Sequence, residues 1–183
     1  MKYNLISGLI LIIAFINTVN ANEPKTLEWD QLMPPGYVES ILELNEEENS
    51  KAQSFFEWED NTDEAQAAYE ELKAKLSSAP IVPELNNQLI RLAGFMVPLD
   101  FDFDTETFTE FLLVPYYGAC IHVPPPPSNQ VVYVTAKKPL KETWLDYAVW
   151  ASGTLTTESV SSEYAFAGYT MKDVDIVEYE DDE

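Results

Sequence analysis

From Leu85 onward, β-branched and aromatic residues alternate with polar ones, and glycines and prolines punctuate the runs. A period of two puts successive side chains on opposite faces of an extended chain, so this half is committed to strands with one face in a core. Five strands are expected, at about 88–100, 109–123, 130–136, 147–158 and 164–178, with a short helix from Leu140 to Tyr147 between the third and fourth. Gly94, Gly118, Gly153 and Gly168 fall inside or at the ends of these strands, where a tightly curved sheet needs bends and bulges. The expected fold is mainly β with an N-terminal helical region, built on a small five-stranded OB-like barrel. An antiparallel sandwich or half-barrel has the same strand content and stays open as the alternative.

The stretch from residue 22 to 84 reads differently. It is acidic and helical in pattern, with Trp29, Leu32, Met33, Ile41, Leu42 and Leu44 as scattered apolar anchors around a turn at Pro34-Pro35-Gly36. Asn61-Thr62 is placed to cap a helix that carries Asp63 and Glu64 in its first turn and Lys73 and Lys75 near its end, with Pro80 beyond. Ala65, Ala68, Tyr69, Leu72 and Leu76 give that helix one apolar stripe. The segment is expected to be an arm docked on the barrel of residues 85–183, whose last residues form a short acidic tail.

Residues 1–21 have the layout of a secretory signal peptide: Lys2, an apolar run from Leu5 to Ile16, and small residues before Asn22. The run is too short to span a bilayer comfortably, so a protein in an exported, oxidising compartment, without direct membrane anchoring, is expected after cleavage. The formal net charge of -22 repels phosphate backbones, which argues against nucleic-acid binding and against adsorption to anionic lipid.

The chain has one cysteine and one histidine, Cys120 and His122. On a continuous strand they share a face, next to the rigid run Pro124-Pro125-Pro126-Pro127. A lone cysteine in an oxidising compartment is buried, ligated or paired with another molecule. A thiolate beside an imidazole is half of a soft-metal site, with zinc favoured, and the missing donors must come from acids. Asp100 and Asp102, alternating with Phe101 and Phe103, and Glu110 on the next strand are the candidates. Two other readings stay open. Cys120 and His122 are core residues of an interaction module, with the proline loop, Tyr116 and Tyr117 as a partner surface. Alternatively they are the nucleophile and base of a thiol-dependent enzyme, with Asn129 or Gln130 orienting the ring. A redox role is weaker because the chain holds no resolving cysteine.

At Gly94-Phe95-Met96-Val97-Pro98-Leu99, Phe111-Leu112-Leu113-Val114-Pro115, and Gly118-Ala119-Cys120-Ile121-His122-Val123 with its four prolines, the chain resembles a family of small exported proteins of Gram-negative bacteria catalogued as a domain of unknown function. The resemblance covers about residues 85–178 and leaves out the acidic arm. It implies no enzymatic activity. It implies a periplasmic accessory of an ABC-type transport system, with some members associated with zinc-responsive genes. The expectation is a non-enzymatic accessory that binds zinc through Cys120 and His122 and works with a membrane transport complex or another periplasmic protein.

Overall fold

The computed structural model describes residues 23–37, 62–119 and 126–180. The signal-like segment, Ile41, Leu42, Leu44, Cys120, His122 and the last three residues lie outside them, as do the side chains of Ala65 and Ala68. Eight strands are present among the described residues: β1 (Lys25–Leu27), β2 (Gln88–Pro98), β3 (Thr107–Val114), β4 (Val132–Lys141), β5 (Val149–Thr156), β6 (Val160–Ser161), β7 (Phe166–Ala167) and β8 (Tyr169–Glu178). One α-helix, α1 (Asp63–Ser77), joins them, with one-turn 3-10 helices at Trp29–Leu32, Pro83–Leu85, Ser128–Gln130 and Glu142–Trp144.

Five of the strands close on themselves in the order β2-β3-β4-β8-β5 and back to β2. Only β4 and β8 run parallel within that ring. This is the small OB-like barrel that the alternating half of the sequence predicts, and full closure sets aside the sandwich alternative.

Closure depends on β2 changing partners midway. Gln88–Gly94 pair with β5, whereas Phe95–Pro98 pair with β3. The switch falls at Gly94, where a Cβ would sit 2.7 Å from the Val114 carbonyl oxygen and 3.0 Å from both Leu113 and Trp29. Only a residue without a side chain lets the strand coil this tightly. On the edge that β3 does not reach, β1 pairs in parallel with Ile90–Leu92.

The main core lies inside the barrel. Ile90, Leu92, Met96, Phe111, Leu113, Val132, Val134, Ala151, Leu155, Tyr169 and Met171 fill it, with Leu27, Leu32 and Leu85 of the arm at one end. A second cluster, Val97, Leu112, Val114, Val131, Ala119, Ala165 and Ala167, sits on the outer face of β2, β3 and β4 under the β6–β7 hairpin. Residues 111–114 are therefore buried on both faces, which a half-exposed strand would not show.

Several boundaries differ from the sequence expectation, each for a local reason. The first strand ends at Pro98, because Asp100–Glu106 fold into a turn instead of staying extended. The second strand ends at Val114: Pro115 follows, the Ala119 N–H returns to the Tyr116 carbonyl at 3.3 Å, and Gly118 takes a left-handed φ of 77°. The period-two pattern that places Cys120 and His122 on one face therefore does not run on from β3. The expected helix at 140–147 is a single 3-10 turn, Glu142–Trp144. The last expected strand is two, β7 and β8, divided at Gly168.

In α1 the Gln66 N–H reaches the Thr62 carbonyl at 3.1 Å, placing Thr62 at the start of the helix. The described members of its apolar stripe, Tyr69, Leu72 and Leu76, are only half-buried. The stronger docking comes after the helix, where Ala79 and Leu85 are buried and Ile81 and Val82 pack on the main core.

Candidate functional site

The described chain frames the Cys120–His122 segment from both sides. It leaves the barrel at the Tyr116–Ala119 turn and re-enters at buried Pro126, half-buried Pro127 and the Ser128–Gln130 turn. Cys120 and His122 themselves, with Pro124 and Pro125, lie outside the described residues.

The three acids proposed from sequence as their companions each accept hydrogen bonds within the barrel and its turns. The Asp100 carboxylate accepts from the Thr109 N–H at 3.0 Å, the Thr109 hydroxyl at 2.6 Å and the Glu110 N–H, tying the β2–β3 turn to the base of β3. Asp102 accepts from the N–H groups of Asp104 at 2.8 Å and Thr105 at 3.2 Å, and these bonds hold its carboxyl below the usual range. Glu110 accepts the Tyr133 hydroxyl at 2.6 Å on the outer face of the barrel. Burial, the Glu110 hydrogen bond and the Glu110 charge together push the Tyr133 hydroxyl up to about 12. Among the described residues no three His, Cys, Asp or Glu side chains gather closely enough to hold a metal ion.

Asn129 and Gln130, considered as orienting groups, pin the arm. The Asn129 amide donates to the Pro80 carbonyl at 2.9 Å, and the Gln130 amide donates to the Trp29 carbonyl at 2.8 Å. Asn129 is fully buried, and its Oδ1 has no hydrogen-bond partner among the described residues. The Trp29 indole N–H donates to the Ala93 carbonyl at 2.7 Å. Tyr169, fully buried, donates its hydroxyl to the Leu32 carbonyl at 2.8 Å and accepts the Val82 N–H at 2.7 Å. One phenol thus joins both ends of the arm to the barrel. These partners are backbone groups far away in the chain, which no side-chain pattern announces.

Exposed aromatic side chains stand beside the described residues on either side of this segment. Tyr117 is 64% exposed and stands edge-on to Phe95 at 5.9 Å, with Tyr116 exposed beside it. On the β6–β7 hairpin, Ala165 and Ala167 face the second core, so the alternating Tyr164 and Phe166 face outward. Tyr164 and Phe166 line a cleft of about 200 Å³ together with Pro126, Leu76 and Lys73. The sequence reading singled out Tyr116 and Tyr117 but missed Tyr164 and Phe166. Their signal is the alternation Tyr-Ala-Phe-Ala directly before Gly168.

A closed five-stranded OB-like barrel, with an arm pinned across one end and an aromatic rim beside the second core, is the class of structure to which the chain belongs. A family model described as a protein of unknown function, DUF3299, matches residues 29–178, and the chain is a member of that family. The match begins at Trp29, so the family unit includes the docked arm and extends well before the residue-85 boundary suggested by the sequence signature. The chain is also similar to a DUF3299 family protein from Pseudomonas aeruginosa PAO1 known from a crystal structure. The two are 37% identical, covering 86% of this chain and 99% of that one, with a TM-score of 0.60. None of the curated proteins matches the chain.

Proposed function

We propose that the protein is a non-enzymatic accessory, exported to the periplasm, that docks on a membrane transport complex or another periplasmic protein through the aromatic rim. The observation that carries this reading is the set of four exposed aromatic side chains, Tyr116, Tyr117, Tyr164 and Phe166, next in the chain to residues of the second core cluster. Aromatic rings bring large apolar area with few rotatable bonds, which is why they dominate binding hot spots. No helix among the described residues is long and apolar enough to cross a membrane, so membrane association on this reading runs through the partner.

A photo-crosslinking amino acid at position 117, in cells that export the full chain, tests the docking. The expected product is one discrete adduct with a membrane transport component or periplasmic protein, lost when Tyr164 and Phe166 are both replaced by alanine. Equal labelling from position 117 and from exposed Tyr147 overturns the reading.

Zinc binding by Cys120 and His122 is the second reading. It is supported by the two soft-metal donors of the chain lying two residues apart in a strongly acidic protein. Zinc titration of tag-free protein, beside Cys120→Ala and His122→Ala, checks it. Equal and negligible affinity in all three removes the metal from the proposal.

A further inference from the structure

The turn joining β2 to β3 carries a second surface, at the opposite end of those strands from the aromatic rim. Its residues 100–106 read Asp-Phe-Asp-Phe-Asp-Thr-Glu, and the two phenylalanines part company. Phe101 packs against the main core. Phe103, edge-on to it at 5.0 Å, is 85% exposed, more than any other large hydrophobic side chain among the described residues.

The turn beneath Phe103 is fixed from several directions. Asp102 caps the Asp104 and Thr105 N–H groups, and its backbone exchanges hydrogen bonds with Thr107 at 2.8 and 3.3 Å. The Thr105 and Thr107 hydroxyls meet at 2.8 Å, and Asp100 anchors the turn to Thr109 and Glu110. Single exposed apolar residues are ordinary on a protein surface. A ring held at the tip of a rigid turn differs in one respect: it loses little backbone freedom when a partner buries it, so most of its burial appears as affinity.

We propose that Phe103 is a docking anchor for a protein partner that offers an apolar pocket rimmed by lysine or arginine. The charge around it selects that occupant. Asp102, Asp104 and Glu106, all exposed, flank the ring, and Glu142 joins them through its N–H bond to the Glu106 carbonyl at 3.1 Å. Lys141, opposite Thr107, and Lys138 leave the tip net acidic. A second copy would bring like charge on a chain of net charge -22, and an anionic lipid surface would be repelled in the same way. The inference does not rest on the aromatic rim, because the two surfaces are at opposite ends of the β2–β3 pair.

The test places a photo-crosslinking amino acid at position 103 of the full chain in cells that export it, with position 147 as the control. The expected result is a discrete protein adduct from 103 and none of that mass from 147. Adding Asp104→Lys with Glu106→Lys abolishes it. With the adduct identified by mass spectrometry and that protein purified, Phe103→Ser weakens binding at least about tenfold. An unchanged melting temperature shows that the variant is folded. Absence of an adduct, an adduct of two copies of this chain, crosslinking to lipid, or an adduct indifferent to charge reversal each overturns the proposal. Crosslinking from position 117 reports on the aromatic rim separately, so the two claims fail independently.

Discussion

Tyr169→Phe removes one oxygen atom and nothing else from the barrel. That oxygen touches the segment before α1 and the segment after it at once, through the Leu32 carbonyl and the Val82 N–H. Leu32 is fully buried, so its carbonyl gains no water when the hydroxyl goes, at a cost of about 1–3 kcal/mol. Val82 is half-buried, and its N–H regains part of its hydration, adding about 0.5–1 kcal/mol. Relief from burying the phenol hydroxyl offsets some of this, leaving a net loss of about 1–3 kcal/mol. At about 3 °C per kcal/mol for a chain of this size, the melting temperature should fall by about 3–9 °C.

Two further readouts make the prediction specific. Hydrogen exchange in the variant should lose protection first at residues 25–33 and 79–85, ahead of the barrel strands. Burial raises the Tyr169 hydroxyl above its ordinary value of 10.0, with the Glu84 charge adding to the rise and the Val82 bond opposing it. A raised folded value for an acid means that the stabilisation is fully present below pH 10 and is lost as pH rises through the folded value. The gap between wild type and variant should therefore narrow at alkaline pH. A loss under about 0.5 kcal/mol, or exchange that accelerates evenly over the whole molecule, would refute the role given to this hydroxyl.

Other outcomes follow from the same geometry. Gly168→Ala would set a Cβ 2.8 Å from the Ser128 carbonyl oxygen and 2.9 Å from Ile81; urea denaturation should show a loss of about 1–3 kcal/mol. Glu110→Gln removes a negative charge from Tyr133, so ultraviolet titration should find its hydroxyl falling from about 12 towards 10. Wild-type stability should decline above pH 10 partly through this group, and less so in Tyr133→Phe. Asp100→Asn and Asp102→Asn weaken bonds within the β2–β3 turn and should leave any zinc affinity unchanged within about threefold, in contrast to Cys120→Ala.

Strand content was legible because alternation is a local property that β2, β4 and β5 show over most of their length, whereas β3 reads as an apolar run from Phe111 that is buried on both faces. Their ends were harder. The run from Pro115 to Val123 is apolar enough to read as more strand, yet Pro115 and the left-handed Gly118 turn the chain away. At the other extreme, β4 runs through Pro139 to Lys141, because the proline falls where the β3–β4 register slips and no ladder hydrogen bond is required of it. The candidate acids illustrate the same limit. Asp-Phe-Asp-Phe-Asp is an alternating pattern, but Asp and Thr also form turns through their own side chains, and that local chemistry wins at residues 100–106. The seam of the arm was not readable at all. Trp29 with Ala93, Asn129 with Pro80 and Tyr169 with Leu32 join residues 49 to 137 positions apart, and the acceptors are main-chain carbonyls that look alike in every sequence.

The three-residue strand β1 is short, yet it covers the edge of Ile90–Leu92 that faces away from β5. Without it, the main-chain donors and acceptors on that edge would be free within an apolar run, the kind of edge on which a neighbouring chain can build a sheet. The arm therefore acts as a guard against self-templated aggregation. A protein cut between residues 33 and 62 that sheds its first segment should retain its barrel and lose its solubility at high concentration.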